Sequence, residues 1–170
     1  MHLSLSFATA AALLASPSII HASPFPSPYA MHARENLCSL PSPPTLCQPD
    51  ASVSVEETAR RAYRFYRAFV VDGDPRTMFS LIDSSYIQHH PGYASGPQTI
   101  WPLFCAGNKI GTEEATAWCF DAGTNMSYAR YSTTDRWRWV GGCVHEHWDQ
   151  GETIPSADRC YKLNTTRTTV

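Results

Sequence analysis

The sequence predicts a single α+β domain, and three observations lead to it. Apolar residues recur at helical spacing between residues 54 and 82. Alternating residues broken by short turns fill 115–149. The body, residues 51–163, is long enough for one hydrophobic core and too short for two. Helices followed by an antiparallel meander pack on one face of a curved sheet.

The chain opens with an apolar run at residues 3–15, relieved only by Ser4, Ser6 and Thr9 and ended by Ser16-Pro17. That length suits the apolar core of a signal peptide and is too short to span a bilayer. Ala22 is small enough to precede a signal-peptidase cut, so residues 1–22 read as a signal peptide and the protein as secreted. No later stretch has the roughly eighteen uncharged apolar residues of a membrane span. Residues 23–50 hold seven of the thirteen prolines and read as a loosely packed Pro/Ser-rich arm, with Cys38 and Cys47 able to close a loop in it. Residues 164–170 are a C-terminal tail.

Within the body, Ser54 followed by Glu57 makes a capping box. Val55, Ala59, Ala62, Tyr66, Phe69 and Val70 then mark a helix whose solvated side carries Arg60, Arg64 and Arg67. Asp72-Gly73 ends it. Asp74-Pro75 supplies the cap and first residue of a second helix burying Met78, Phe79, Leu81 and Ile82. A third opens at Gly96-Pro97 with Ile100, Leu103 and Phe104, shortened or kinked by Pro102. Strands follow, separated by Ala122-Gly123, Ser132-Thr133 and Gly141-Gly142, the last suited to a type I′ hairpin.

Six cysteines, Cys38, Cys47, Cys105, Cys119, Cys143 and Cys160, suit disulfides in an oxidising compartment, with the pairing left open. Two glycosylation sequons begin at Asn125 and Asn164. A net charge of −2 supplies no basic footprint for nucleic acid and no polybasic anchor for a membrane.

Three stretches carry a resemblance: residues 65–75 with their GDP ending, YIQHHP at 86–91, and DRWRWVGGCVHEHWD at 135–149. Together they resemble the SnoaL-like polyketide cyclase family of the nuclear-transport-factor-two-like superfamily. The family's YIQHNP and EHWD patterns are met at Tyr86, Ile87, Gln88 and His89 and at Glu146, His147, Trp148 and Asp149, with Asp135 and Arg138 on the preceding strand. His90 departs from the pattern, standing where asparagine is usual, and residues 105–125 do not align. The resemblance implies a cone-shaped curved antiparallel sheet closed by helices around a blind apolar cavity, often in homodimers. It also implies cofactor-independent chemistry on a hydrophobic carbonyl compound, as a cyclase, isomerase or lyase.

On that reading Asp149 is the first candidate acid/base, with Asp135, His147 and His89 as further catalytic candidates. Burial in an aromatic-walled cavity raises a carboxyl toward neutrality, which suits proton transfer beside a carbonyl. Tyr66 and His89 are candidate donors to an enolate oxygen, or else ordinary core and backbone-bonded residues. His90, Trp137 and Trp148 are further substrate-binding candidates. Simple pairing outward from Gly141-Gly142 sets Arg138 against His145 and Trp137 against Glu146, which puts Asp135 and Asp149 on opposite faces unless a bulge moves one across. Arg138 then reads as the ion-pair partner of a carboxylate across the hairpin. The His145-x-His147-x-Asp149 spacing supports a competing metal site for zinc or non-haem iron, with a fourth ligand from His89 or His90. A secreted binding protein without turnover is the alternative to an enzyme.

Protein recovered from the medium is expected to begin near Ser23 and to gain at least four mass units on reduction, two per disulfide. Intact-mass measurement with and without reductant checks both, and six free thiols in the native protein would contradict the secretory reading.

Overall fold

The computed structural model describes residues 36–107 and 117–163, which belong to one unit, Glu35–Val170. The expected signal peptide, residues 23–35 of the arm, Asn164 and the tail lie outside the described residues.

Ser54 starts α1, Val55–Tyr66, by accepting the Glu57 N–H on its side-chain oxygen at 3.1 Å. The buried side is Thr58, Ala59, Ala62 and Phe65. Val55 is exposed and Tyr66 half-buried, so the apolar stripe sits one residue from its expected line. Arg60 and Arg61 pair with Glu56 and Glu57 one turn back, as expected of a solvated face. The helix runs on into a π-helical turn, Arg67–Asp72, that ends at Gly73 in the left-handed conformation. Asp74 then caps α2, Pro75–Phe79, by accepting the Thr77 N–H. α2 is shorter than its apolar pattern suggests, because Ile82 opens a strand instead: β1, Ile82–Gln88. α3, Pro97–Phe104, keeps Pro102 inside it and extends only eight residues.

The remaining strands are β2, Ala117–Asp121, β3, Met126–Arg130, β4, Thr134–Val140, and β5, Cys143–Trp148. Their sheet order is β1-β5-β4-β3-β2. Pairing from β2 to β5 is antiparallel, but β1 runs parallel to β5, so the sheet is mixed and not the wholly antiparallel one expected. The reason is connectivity: α3 and three strands separate β1 from β5, so no tight hairpin dictates its direction. The β4–β5 turn is as the sequence suggests. Gly141 and Gly142 have φ of 53° and 74°, and both central positions of a type I′ turn need positive φ.

The register of that hairpin carries one irregularity. Trp139 faces Val144, but Arg138 faces Glu146, so His145 is an extra residue on β5. From there outward Trp137 lies opposite His147 and Arg136 opposite Trp148, one residue from the simple count. Arg138 pairs with Glu146, a carboxylate across the hairpin. His145 is held outside the ladder by Asp83 of β1, whose Oδ2 lies 2.7 Å from His145 Nδ1. Asp83 is itself buried, and its Oδ1 accepts from the Ser85 N–H and hydroxyl.

Phe65 joins helix to sheet. Its ring meets Trp137 and Trp139 edge-on at 5.3 and 6.0 Å and stacks beside Phe69 at 5.8 Å. The buried Trp139 N–H donates to Ser127 Oγ at 2.8 Å. Three disulfides link Cys38 to Cys105, Cys47 to Cys143 and Cys119 to Cys160. Of the pairings the sequence leaves open, a Cys38–Cys47 loop is not the one formed, because each cysteine reaches the body separately. Leu37, Leu40 and Leu46 pack against the core, and the Leu40 carbonyl accepts from Trp101 Nε1. This part of the arm is therefore fastened to the domain. Three disulfides fit an oxidising compartment, and no helix among the described residues is long and apolar enough to cross a membrane.

Peptide mapping under non-reducing conditions is expected to recover these three pairs. Replacing Cys47 and Cys143 together by serine should lower stability by about 2–5 kcal/mol in urea unfolding. A Cys38–Cys47 peptide would contradict the fold.

Candidate functional site

A cavity of about 330 Å³ lies between the sheet and the helices. The π-helical turn brings Phe69 to its wall beside Phe65, and α3 supplies Ile100, Leu103 and Phe104. Trp137 of β4 forms the sheet side, and Tyr93 and Leu103 are apolar residues left substantially exposed. The polar groups enter from three strands: Tyr86 and Gln88 from β1, Asp135 from β4, and His147 from β5. Beyond the strand ends come His90, Tyr131 and Asp149. Asp135, His147 and Asp149 share this cavity because of the extra residue at His145. Without it Asp135 and His147 would point to opposite faces.

Asp135 is 2% exposed and His147 7%, and Asp135 Oδ2 lies 3.1 Å from His147 Nε2. The hydrogen-bond network decides where the protons are. Gln88 Oε1 accepts the His90 backbone N–H at 3.0 Å, which fixes that atom as oxygen. The same oxygen lies 2.9 Å from His147 Nδ1. Both atoms cannot be acceptors, so Nδ1 carries a hydrogen. Nε2 then faces a carboxyl oxygen that also accepts the Tyr131 hydroxyl at 2.5 Å. If His147 is neutral, Asp135 supplies the proton between them; if Asp135 is ionised, His147 is imidazolium. Either way the Asp135–His147 pair holds one shared proton and is neutral overall.

The other carboxyl oxygen, Asp135 Oδ1, is buried without a hydrogen-bond partner, as is Asp149 Oδ1. A buried carboxyl oxygen left bare is costly. His90 Nδ1 accepts the Gly92 N–H at 2.9 Å, which leaves the hydrogen of the neutral ring on Nε2. That Nε2 points toward Asp149 Oδ2 across 3.8 Å. Tyr86 accepts from Gln88 Nε2 at 3.2 Å, leaving its own phenolic hydrogen for a second partner. Burial, and next the neighbouring Asp135 and Asp149, push the Tyr86 phenol far above its ordinary range. Tyr131 is raised the same way, by burial and by Asp135. Both remain donors at any physiological pH.

Five candidates from the sequence therefore meet in the cavity: Asp135, His147, Asp149, His90 and Trp137. Three do not line it. His89 lies on the outer side of the strand, stacked on Trp148 at 4.3 Å and bonded to Glu146, because alternation turns it away from Gln88 and His90. Trp148 shares that side, with the Arg136 guanidinium over its ring at 4.3 Å. Tyr66 packs among Tyr63 and Trp118. The His145-x-His147-x-Asp149 triad is not assembled, since the bulge sends His145 to Asp83. Among the described residues no group of three His, Cys, Asp or Glu is placed to hold a metal ion. Tyr86, Gln88 and Tyr131 were missed as site residues. Alternation along Tyr86-x-Gln88-x-His90 would have found the first two.

Of the sequons, Asn125 sits in the β2–β3 turn at φ 57°, its Nδ2 donating to the Trp139 carbonyl. A second groove of about 400 Å³ follows α1, where Arg60 and Arg61 are already paired with Glu56 and Glu57. It contains no buried acid–base pair. No family model matches the chain, and no curated protein or solved structure matches it either.

Gln88 sets the His147 tautomer, so nitrogen NMR of the imidazole is expected to show a protonated Nδ1 in the native protein. In Gln88→Met that resonance should lose its slow exchange or move to the other tautomer. An unprotonated Nδ1 in the native protein would contradict the proton assignment.

Proposed function

We propose that the chain is a secreted SnoaL-like protein with the cone architecture of that superfamily. Its cavity carries out cofactor-independent proton transfer on a hydrophobic carbonyl compound, as a cyclase, isomerase or lyase. The observation that carries this reading is the buried Asp135–His147 pair with its bare Oδ1 in an aromatic-walled cavity.

Each group has a part in such a reaction. Asp135 Oδ1 takes a proton from the carbon beside the carbonyl, and the positive charge gained stays on the Asp135–His147 pair, opposite the enolate it has made. The Tyr86 hydroxyl, held protonated by burial, donates to the enolate oxygen. Returning the proton to another carbon completes an isomerisation. In a ring closure the enolate carbon bonds to a second carbonyl carbon of the same molecule, and the proton goes to the alkoxide oxygen so formed. Giving it to a leaving hydroxyl, which departs as water, completes a dehydration. Asp149, the carboxylate favoured by the family resemblance, lies in the same cavity beside His90 and serves as the second acid/base. His89 is placed to take no part.

Deuterium exchange at the carbon next to the carbonyl of aromatic ketones, followed by proton NMR, reads this step directly. The native protein is expected to accelerate exchange, Asp135→Asn to reduce it by roughly 10²- to 10⁴-fold, and His89→Ala to leave it unchanged. Ketones that bind without accelerated exchange would replace the enzyme with a binding protein that has no turnover.

A further inference from the structure

The cavity wall supplied by α3 is firm at one end and weak at the other. Pro102 has no N–H, so the helical hydrogen bond to the Gln98 carbonyl is missing. On the N-terminal side of that gap the helix is well held. Gly96 N–H donates to the Tyr86 carbonyl at 2.8 Å, the Trp101 ring meets Phe79 edge-on at 4.9 Å, and Trp101 Nε1 donates to the Leu40 carbonyl. On the C-terminal side a short flap, residues 103–106, carries Leu103 and Phe104 of the cavity wall. Leu103 and Ala106 are exposed. The flap ends at Gly107, which lies so close against the Gly73 carbonyl that a side chain has no room. It is fastened inward by the Phe104 ring, edge-on to Phe69 at 5.5 Å, and by the Cys105 end of the Cys38–Cys105 bridge.

That bridge differs from the other two in reach. All six cysteines are described, and Cys38 alone is exposed; Cys47, Cys143 and Cys119 are buried and Cys160 is half-buried. Cys38 sits in a single 3₁₀ turn, Leu37–Ser39, none of whose residues is buried. Exposed disulfides are the ones that exchange with thiols. We propose that Cys38–Cys105 is a redox latch on the cavity, closed in the oxidised protein and opened by a dithiol. One thiolate of the dithiol attacks Cys38 Sγ, the S–S bond breaks, and its electron pair leaves on Cys105 Sγ, which takes up a proton. The second thiol then attacks the mixed disulfide, forms the dithiol's own disulfide and releases Cys38 as a thiol. The bridge gains two electrons and two protons, and the dithiol loses them. The freed flap swings between Pro102 and Gly107, and Leu103 and Phe104 leave the cavity wall. Reoxidation closes it. This inference rests on the cavity being the site proposed above, whose access the latch controls.

The test exposes the full-length oxidised protein to increasing dithiothreitol, alkylates the free thiols and maps them by mass. Cys38 and Cys105 are expected to be labelled before the other four. In the partly reduced protein, hydrogen–deuterium exchange at residues 97–107 should accelerate by at least about 10-fold, with β3, β4 and β5 unchanged. The His147 imidazole hydrogen should also exchange with water about 10-fold faster, and both rates should return on reoxidation. Cys38→Ser combined with Cys105→Ser gives the open state without reductant; if that variant does not fold, the partly reduced native protein carries the test alone. Earlier opening of either other bridge overturns the latch. An opened Cys38–Cys105 bridge with unchanged exchange at residues 97–107 or at His147 overturns it in favour of a plain staple. Equal acceleration in all five strands overturns it in favour of a support for the whole fold. None of these readouts involves a ligand, so a working latch without ketone exchange rejects the proposed chemistry and keeps the latch. Ketone exchange in a protein whose flap does not open does the reverse.

Discussion

In an antiparallel pair the side-chain period is two, so one extra residue on one strand exchanges the faces of everything beyond it. His145 is that residue in β5. With it, Trp137 and His147 face each other across the ladder with rings 5.4 Å apart, and Asp135 comes within hydrogen-bonding distance of His147. The extra residue is not left to strain the ladder. Asp83 holds its imidazole, and the Cys47–Cys143 disulfide pins the strand two residues earlier. The bulge, the buried aspartate on β1 and the arm cysteine therefore form one device. Its output is a cavity in which three titratable side chains from one hairpin meet.

A cavity is a cost to a domain of this size, because volume left open is packing forgone. The structure offsets it around the rim. Cys38–Cys105 ties the arm to the end of α3, next to Leu103 and Phe104 of the cavity wall. Cys119–Cys160 fastens the C-terminal segment to the β2 edge, where Tyr161 N–H donates to the Phe120 carbonyl. Each bridge closes a long loop, which restricts the unfolded chain most. The arm is thus structural where it can be seen, although its composition reads as a spacer.

What was legible in the sequence was local. Ser54 and Asp74 announce their helices through side-chain caps, and Gly141-Gly142 announces its turn through positive φ, because each needs only its near neighbours. The direction of β1, the disulfide partners and the bulge depend on residues far along the chain, and periodicity does not reach them. The site divides the same way. Asp135, His147, Asp149, His90 and Trp137 stand out by residue type, but their convergence depends on an Asp83–His145 contact spanning sixty-two positions. His89 and Trp148 were drawn to the site by their motifs; alternation turns His89 from it, and the extra residue at His145 turns Trp148. Gln88 was passed over because an amide does no proton chemistry itself, yet it aligns Tyr86, His90 and His147 at once.

Everything in this account passes through the register of one hairpin, and that register is measured most directly by nuclear Overhauser contacts between labelled aromatic rings in the native protein. Cross-peaks between the Trp137 indole and the His147 imidazole are the predicted result. Contacts from Trp137 to the Glu146 side chain, with none to His147, would place His147 on the opposite face from Asp135 and contradict the site.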